Sequence, residues 1–163
     1  IRAMGQVQKL MPDVELVIVG DGPLRGKLEG LAQSLLTSYR FMGTQPQEVI
    51  HGLLNETKIF SVPSITIENG NSEGFGIVFS EANAMGVPVV SFATGGIPEA
   101  VAHGETGLLA PEKDTDCLAK YLMKLLIDDV LWESFSKEGE ERVRERFNLK
   151  KQNRLLEDIY KSL

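Results

Sequence analysis

Ser72-Glu73-Gly74-Phe75-Gly76-Ile77-Val78-Phe79-Ser80-Glu81-Ala82-Asn83-Ala84-Met85-Gly86 is the stretch on which the reading of this chain turns. Two carboxylates, Glu73 and Glu81, are separated by a pair of glycines around an aromatic and then by a short apolar run. Gly74 and Gly76 let the backbone come close to a ligand, because no Cβ intervenes. From Ile77 the pattern reads as a helix, so free N–H groups and the positive end of a helix dipole follow directly on the glycines. That is a seat for an anion. A carboxylate accepts hydrogen bonds from hydroxyls and has no use for phosphate. With Glu73 in the loop and Glu81 about one turn inside the helix, the stretch suits a ligand with hydroxyls at both ends and phosphate between. A nucleotide-sugar has that form. The spacing alone also admits a simpler reading, in which Glu81 faces solvent on an amphipathic helix. Against that reading stands its apolar background of Ile77, Val78, Phe79, Ala82, Ala84 and Met85, where a charged group needs a partner.

Moving outward, strands and helices alternate on both sides of this stretch. Upstream, Val14-Glu15-Leu16-Val17-Ile18-Val19 is a short β-branched run that ends in Gly20-Asp21-Gly22-Pro23. Such runs are typical of strands buried on both faces of a parallel sheet. Pro23 suits the first turn of the helix that follows, with Leu24, Leu28, Leu31 and Leu35 expected on its inner face. Tyr39–Gly43 reads as a second strand, Pro46–Leu54 as a helix and Lys58–Ser64 as a third strand halted by Pro63. Residues 65–72 form a loop with Asn69-Gly70-Asn71 as its turn signal. Downstream, Val87–Phe92 is a fourth strand, and Thr94-Gly95-Gly96-Ile97-Pro98-Glu99 repeats the design of glycines before a helix. This is either a second set of backbone donors or a tight turn with no ligand. Thr106–Pro111 is a fifth strand, and Asp114 is placed to cap a helix over 115–127. The remainder, 130–163, is helical and interrupted near Phe147-Asn148.

Alternation of this kind predicts an α/β fold with a doubly wound, Rossmann-like parallel sheet. Such sheets bind ligands at the carboxyl ends of their strands. The glycine turns at Gly20 and Gly22, Gly43, Gly74 and Gly76, and Gly95 and Gly96 all fall at those ends. Their convergence on one edge says more than any single motif.

The chain has 163 residues, enough for one ordinary domain, and a net charge of −6, which argues against a general nucleic-acid binder. Its single cysteine, Cys117, leaves no internal disulfide and no cysteine-based zinc site. His51 and His103 are isolated in the sequence. No run approaches the roughly 20 apolar residues of a membrane span, and no signal peptide is visible. The setting expected is reduced and cytoplasmic. Ile1, Met4, Val7 and Leu10 recur at helical spacing from the first residue, which reads as a piece with structure upstream.

With these pieces in order, the run from Val14 to Phe147 resembles the C-terminal, donor-binding domain of the family 4 retaining glycosyltransferases of GT-B fold. The resemblance rests on Val19–Pro23, Phe41–Gly43, Val62–Ser64, the stretch from Glu73 to Glu81, Gly86–Val90, Gly95–Glu99 and Gly107–Pro111, in that order. It implies that residues 1–163 are the donor domain, with 148–163 as its C-terminal helix. Glu73 matches the first acid of the family's paired-glutamate motif, which meets the sugar hydroxyls near the reacting carbon. Phe75, Gly76, Ile77 and Val78 match the segment whose N–H groups hold sugar hydroxyls and diphosphate oxygens. Glu81 matches the acid that binds the ribose. The turn after Gly43, beginning with Thr44, matches the border of the base, and Gly20–Pro23 a loop lining the same cleft. The family's first strand in this domain, the basic pair after it and the acceptor-binding N-terminal domain have no match in this chain.

The resemblance implies retaining transfer of a sugar from a UDP- or GDP-linked donor to a glycan or lipid-linked glycan, with no cofactor and no metal. Any membrane association would be peripheral, at the inner face. A helix N-terminus that stabilises the departing diphosphate favours the transition state over the ground state. Glu73 is expected to orient the sugar. The alternatives are a non-catalytic nucleotide-sugar-binding domain, a sugar-nucleotide epimerase and a dinucleotide-dependent oxidoreductase. The last needs a third glycine three positions after Gly22, where the chain has Arg25, with Gly26 one position late. The isolated piece is expected to be inactive.

Overall fold

A computed structural model describes residues 1–162. Two parallel strand pairs carry the fold. Leu16–Val19 (β1) runs beside Tyr39–Gly43 (β2), and Val89–Phe92 (β3) beside Gly107–Ala110 (β4). Helices occupy the connections: Arg2–Leu10 (α1) precedes β1, and Arg25–Leu35 (α2) joins β1 to β2. Gln47–Glu56 (α3) and Ile77–Ala84 (α4) lie between β2 and β3, and the single turn Ile97–Ala100 (α5) between β3 and β4. Thr115–Ile127 (α6), Asp129–Arg146 (α7) and Leu149–Ser162 (α8) follow. The α/β alternation with parallel strands is the one the sequence predicts.

Every residue of β3 and β4 is buried, and alternate residues enter different cores. Val90, Phe92, Leu108 and Ala110 face a core completed by α1 and α6, including Val7 and Leu125. Val89 and Leu109 face the other, completed by Phe79 and Ala82 of α4 and Ile97 and Ala100 of α5. Burial on both faces is why these strands read as continuous apolar runs with no alternation. It also fixes α4 and α5 on one side of β3, at the end where its chain turns over.

Two expectations change. The third strand, 58–64, forms no ladder; it meets β3 through the bridge Phe60 to Val89, with Phe60 N donating to Pro88 O and Val90 N to Phe60 O. One residue pair further on, the Val62 carbonyl accepts from the Ser91 hydroxyl at 2.8 Å, so the regular pattern ends there. Ile59 and Ser61, which point the other way, make no backbone hydrogen bond among the described residues. Among the described residues β1 is likewise bonded on one side only, to β2. The second change concerns α2. Leu24 and Leu35 are exposed, and the buried row is Ala32 with Leu36, flanked by half-buried Leu28 and Leu31. Leucines repeat closely enough on this helix for its spacing to fit more than one face.

Among the described residues, no helix is long and apolar enough to cross a membrane.

Candidate donor site at the carboxyl ends of the strands

The sharpest local feature is Gly76. It has φ 74° and ψ 70°, the left-handed region, and forms the N-cap of α4. A Cβ there would lie 2.5 Å from the Phe79 ring and 3.4 Å from Cγ of Glu73. Phe79 is fully buried and stacks edge-on against Phe60 at 6.0 Å, so it has no room to retreat. Glycine is therefore required twice over, by the dihedral and by the packing. The result is a sharp entry into α4 with no side-chain cap. Among the described residues, the N–H groups of Phe75, Gly76, Ile77 and Val78 find no acceptor. A helix normally has such leading donors satisfied by a cap, water or a ligand.

Around these donors the chemistry is mixed. The Glu73 stem lies over Gly76, which puts its carboxylate beside the helix entry. Glu81 is half-buried one turn along, on the same face of α4 as the exposed Ile77 and Val78. Phe79, Ala82 and Asn83 take the opposite, buried face. Neither glutamate has an ion-pair partner among the described residues. An anion-accepting tip, an apolar platform and two free carboxylates thus share one end of one short helix.

Gly95 and Gly96 sit directly behind the loop. Gly96 N–H donates to the Glu73 carbonyl at 2.9 Å. A Cβ on Gly95 would overlap the Glu73 carbonyl oxygen, and one on Gly96 the Gly74 carbonyl oxygen. This turn grips the Glu73–Gly76 loop backbone to backbone, and the Gly96 donor is engaged in that grip.

Gly20, Gly22, Gly43 and Thr44 form a second group, at the ends of β1 and β2. Gly20 N–H donates to Gly43 O at 2.8 Å, and Gly43 has φ 65°. A Cβ added at Gly22 would meet nothing within 4 Å and Thr44 is exposed, so both border open space. Arg25 stands beside this group, its Nη1 3.1 Å from where a Gly43 Cβ would be. It is held by Glu29 at 2.8 Å and Asp21 at 3.1 Å. Those hydrogen bonds, Glu29 first, raise its pKa above the usual arginine value. No hydrogen bond or ion pair joins this group to the loop at Glu73 among the described residues.

Sequence reasoning passed over Arg25, Arg142 and Phe147. Phe147 packs edge-to-face on Phe75, ring centroids 5.1 Å apart at 72°. The sequence marks Phe147 only as a break between helices. Arg25 carried a usable signal, since Asp21, Arg25 and Glu29 recur at the spacing that pairs side chains along a helix. His51 and His103 are exposed; His103 Nδ1 accepts from Leu109 N, a structural role. Among the described residues no three His, Cys, Asp or Glu side chains gather as a metal-binding group.

Comparison with known proteins gives these features a context. The profile of a family described as "Glycosyl transferases group 1" matches residues 1–142. A GDP-mannose-dependent monoacylated alpha-(1-6)-phosphatidylinositol monomannoside mannosyltransferase from Corynebacterium glutamicum is 38% identical over 131 residues, 80% of this chain and 34% of that protein. The structure of sucrose-phosphate synthase from Thermosynechococcus elongatus superposes with a TM-score of 0.78 at 28% identity, covering 99% of this chain and 42% of that one. HepE from Anabaena, solved with UDP and glucose, superposes with a TM-score of 0.80 at 24% identity, over 99% and 43% of the two chains, a likeness of fold. The chain spans about a third of the length of the curated relatives it matches.

Proposed function

The chain belongs to the group 1 glycosyl transferases, and from that membership we propose that it is the donor domain of a retaining enzyme moving a sugar from a nucleoside diphosphate to a glycan or lipid-linked acceptor. The observation that carries this reading is the uncapped start of α4. Its unpaired N–H groups at Phe75–Val78 lie between the Glu73 carboxylate and the half-buried Glu81. Diphosphate oxygens take the N–H groups, the ribose hydroxyls donate to Glu81, and the sugar hydroxyls donate to Glu73.

Mechanism follows from where charge develops. As the bond from sugar to diphosphate lengthens, the anomeric carbon becomes positive and the leaving phosphate more negative. Fixed N–H donors and the positive end of α4 stabilise that negative charge more than they stabilise the intact donor. Glu73, held in place through its carbonyl by Gly96, orients the sugar and favours the cationic carbon. The leaving group is stabilised without a metal. The base lies along the Gly20–Gly22 and Gly43–Thr44 turns. The acceptor is bound by the remainder of the protein, and the enzyme works in the cytoplasm, at the inner face of the membrane when that acceptor is lipid-linked.

GDP-mannose is the first donor to test, since the relative from Corynebacterium is named for its dependence on it. Titration of the full-length protein with UDP- and GDP-linked sugars should give saturable binding of at least one. Absence of binding across the panel would remove the reading.

A further inference from the structure

We propose that Phe147 and Arg142 are positioning residues for the Glu73–Gly76 loop, so that the junction of α7 and α8 sets the aim of the donor site. The proposal rests on the donor-site reading above, but its structural half stands on contacts alone. The loop is held from two directions, and both holds lead back to the last turns of α7. In the first, the Phe147 ring, the residue closing α7, meets the Phe75 ring edge-to-face at 5.1 Å. Phe75 lies inside the loop, between Gly74 and Gly76, and neither glycine has a side chain to anchor it. Its ring is the loop's own handle.

The second hold runs through α5. Gly96, just before α5, donates its N–H to the Glu73 carbonyl, which ties the loop to the start of that single turn. At the other end of α5, Nη2 of Arg142 donates to the Glu99 carbonyl at 2.8 Å. A cation on the last carbonyls of a helix satisfies acceptors the helix leaves unpaired. Arg142 also lies over the Phe147 ring, with Cζ 5.9 Å from its centroid. One guanidinium therefore touches both holds. Burial, with Arg146 adding to it, pushes the Arg142 pKa down, and its Nε is buried without a partner among the described residues. A surface arginine chosen only for charge would not give up its solvent in this way.

The consequence for the donor site is direct. Glu73 and the N–H groups from Phe75 to Val78 act through direction, and a shift of about 1 Å in a positioned group is enough to cost large factors in rate. Phe75 and Gly96 fix that direction, and Phe147 and Arg142 fix Phe75 and α5.

The test uses the full-length protein with Phe147→Ala, Phe147→Leu, Phe147→Tyr and Arg142→Gln. Amide hydrogen exchange is followed in peptides covering 73–78 and, as a control, β3 and β4. Donor and acceptor KM are measured with GDP-mannose or whichever nucleotide-sugar the parent uses. Exchange at 73–78 should quicken about 3- to 10-fold in Phe147→Ala, the range an edge-to-face aromatic pair accounts for, and return toward the parent in Phe147→Tyr. Donor KM should rise by a similar factor in Phe147→Ala and Arg142→Gln, with acceptor KM unchanged. If Phe147→Ala does not fold, Phe147→Leu is judged by the same two readouts. Parental exchange at 73–78 and parental donor KM in these variants, whatever happens to the melting temperature, would overturn the proposal. A parent that turns over no nucleotide-sugar would sink the transferase reading instead, and the exchange rates would still decide whether Phe147 holds the loop.

Discussion

Gly76 meets two separate objections to a side chain, its positive φ and the Phe79 ring at 2.5 Å from any Cβ. Gly76→Ala should cost roughly 1–3 kcal/mol, from backbone strain and displaced packing together. Urea unfolding of parent and variant checks this, and a change within a few tenths of a kcal/mol would show that the turn relaxes easily. The two carboxylates next to it are expected to separate kinetically in the full-length enzyme. Glu81→Gln should weaken donor binding about tenfold by removing a charge-assisted hydrogen bond, leaving kcat less affected. Glu73→Ala should act chiefly on kcat, by roughly 100-fold, if it favours charge that develops only in the transition state. Steady-state kinetics with varied donor separates the two. Matching profiles for both variants would argue against distinct roles.

Helices with complete local signals were the easiest to read. α6 spans Thr115–Ile127, as expected from its spacing, and Asp114 Oδ1 accepts from Cys117 N at 2.9 Å as its cap. Asp114→Ala should cost about 1 kcal/mol, measurable as a lower unfolding midpoint with an unchanged slope. α4 was legible for the same reason, since its glycines and apolar run sit next to each other in the chain. The segment 58–64 was not. Its residues favour extended structure, but pairing is decided by distant partners, and among the described residues this segment meets β3 at the single bridge from Phe60 to Val89. The leucines of α2 could not be sorted into inner and outer faces by spacing alone, and Leu24 and Leu35 fell on the outer one. The Phe75–Phe147 contact joins distant parts of the chain and left no local trace in the sequence. The engagement of Gly96 with Glu73 is of the same kind, because a glycine pair before a helix looks alike whether it faces ligand or backbone.

At the scale of the whole molecule, β3 and β4 separate two cores, and Phe75 of the Glu73–Gly76 loop, α4 and α5 all belong to the same side. Phe79, Ala82, Ile97 and Ala100, with Phe75 packed against them, hold that side together. In the proposed site the phosphates meet the backbone N–H groups and the positive end of α4, roughly 0.3–1 kcal/mol for each exposed dipole contact. The 163-residue chain by itself is therefore expected to bind nucleoside diphosphate weakly and to transfer no sugar. Calorimetry and a product assay on that chain check both statements, and measurable turnover would refute the second. The margin of β1 that carries no ladder among the described residues, together with Ile59 and Ser61, has its own bearing on such work. Unsaturated strand borders are sticky, and they recruit whatever extended peptide drifts past, including another molecule of the same kind. Handled alone at high concentration, this stretch would tend to self-associate along that border, and lysine or proline placed there should keep it in solution without touching the glycine bend.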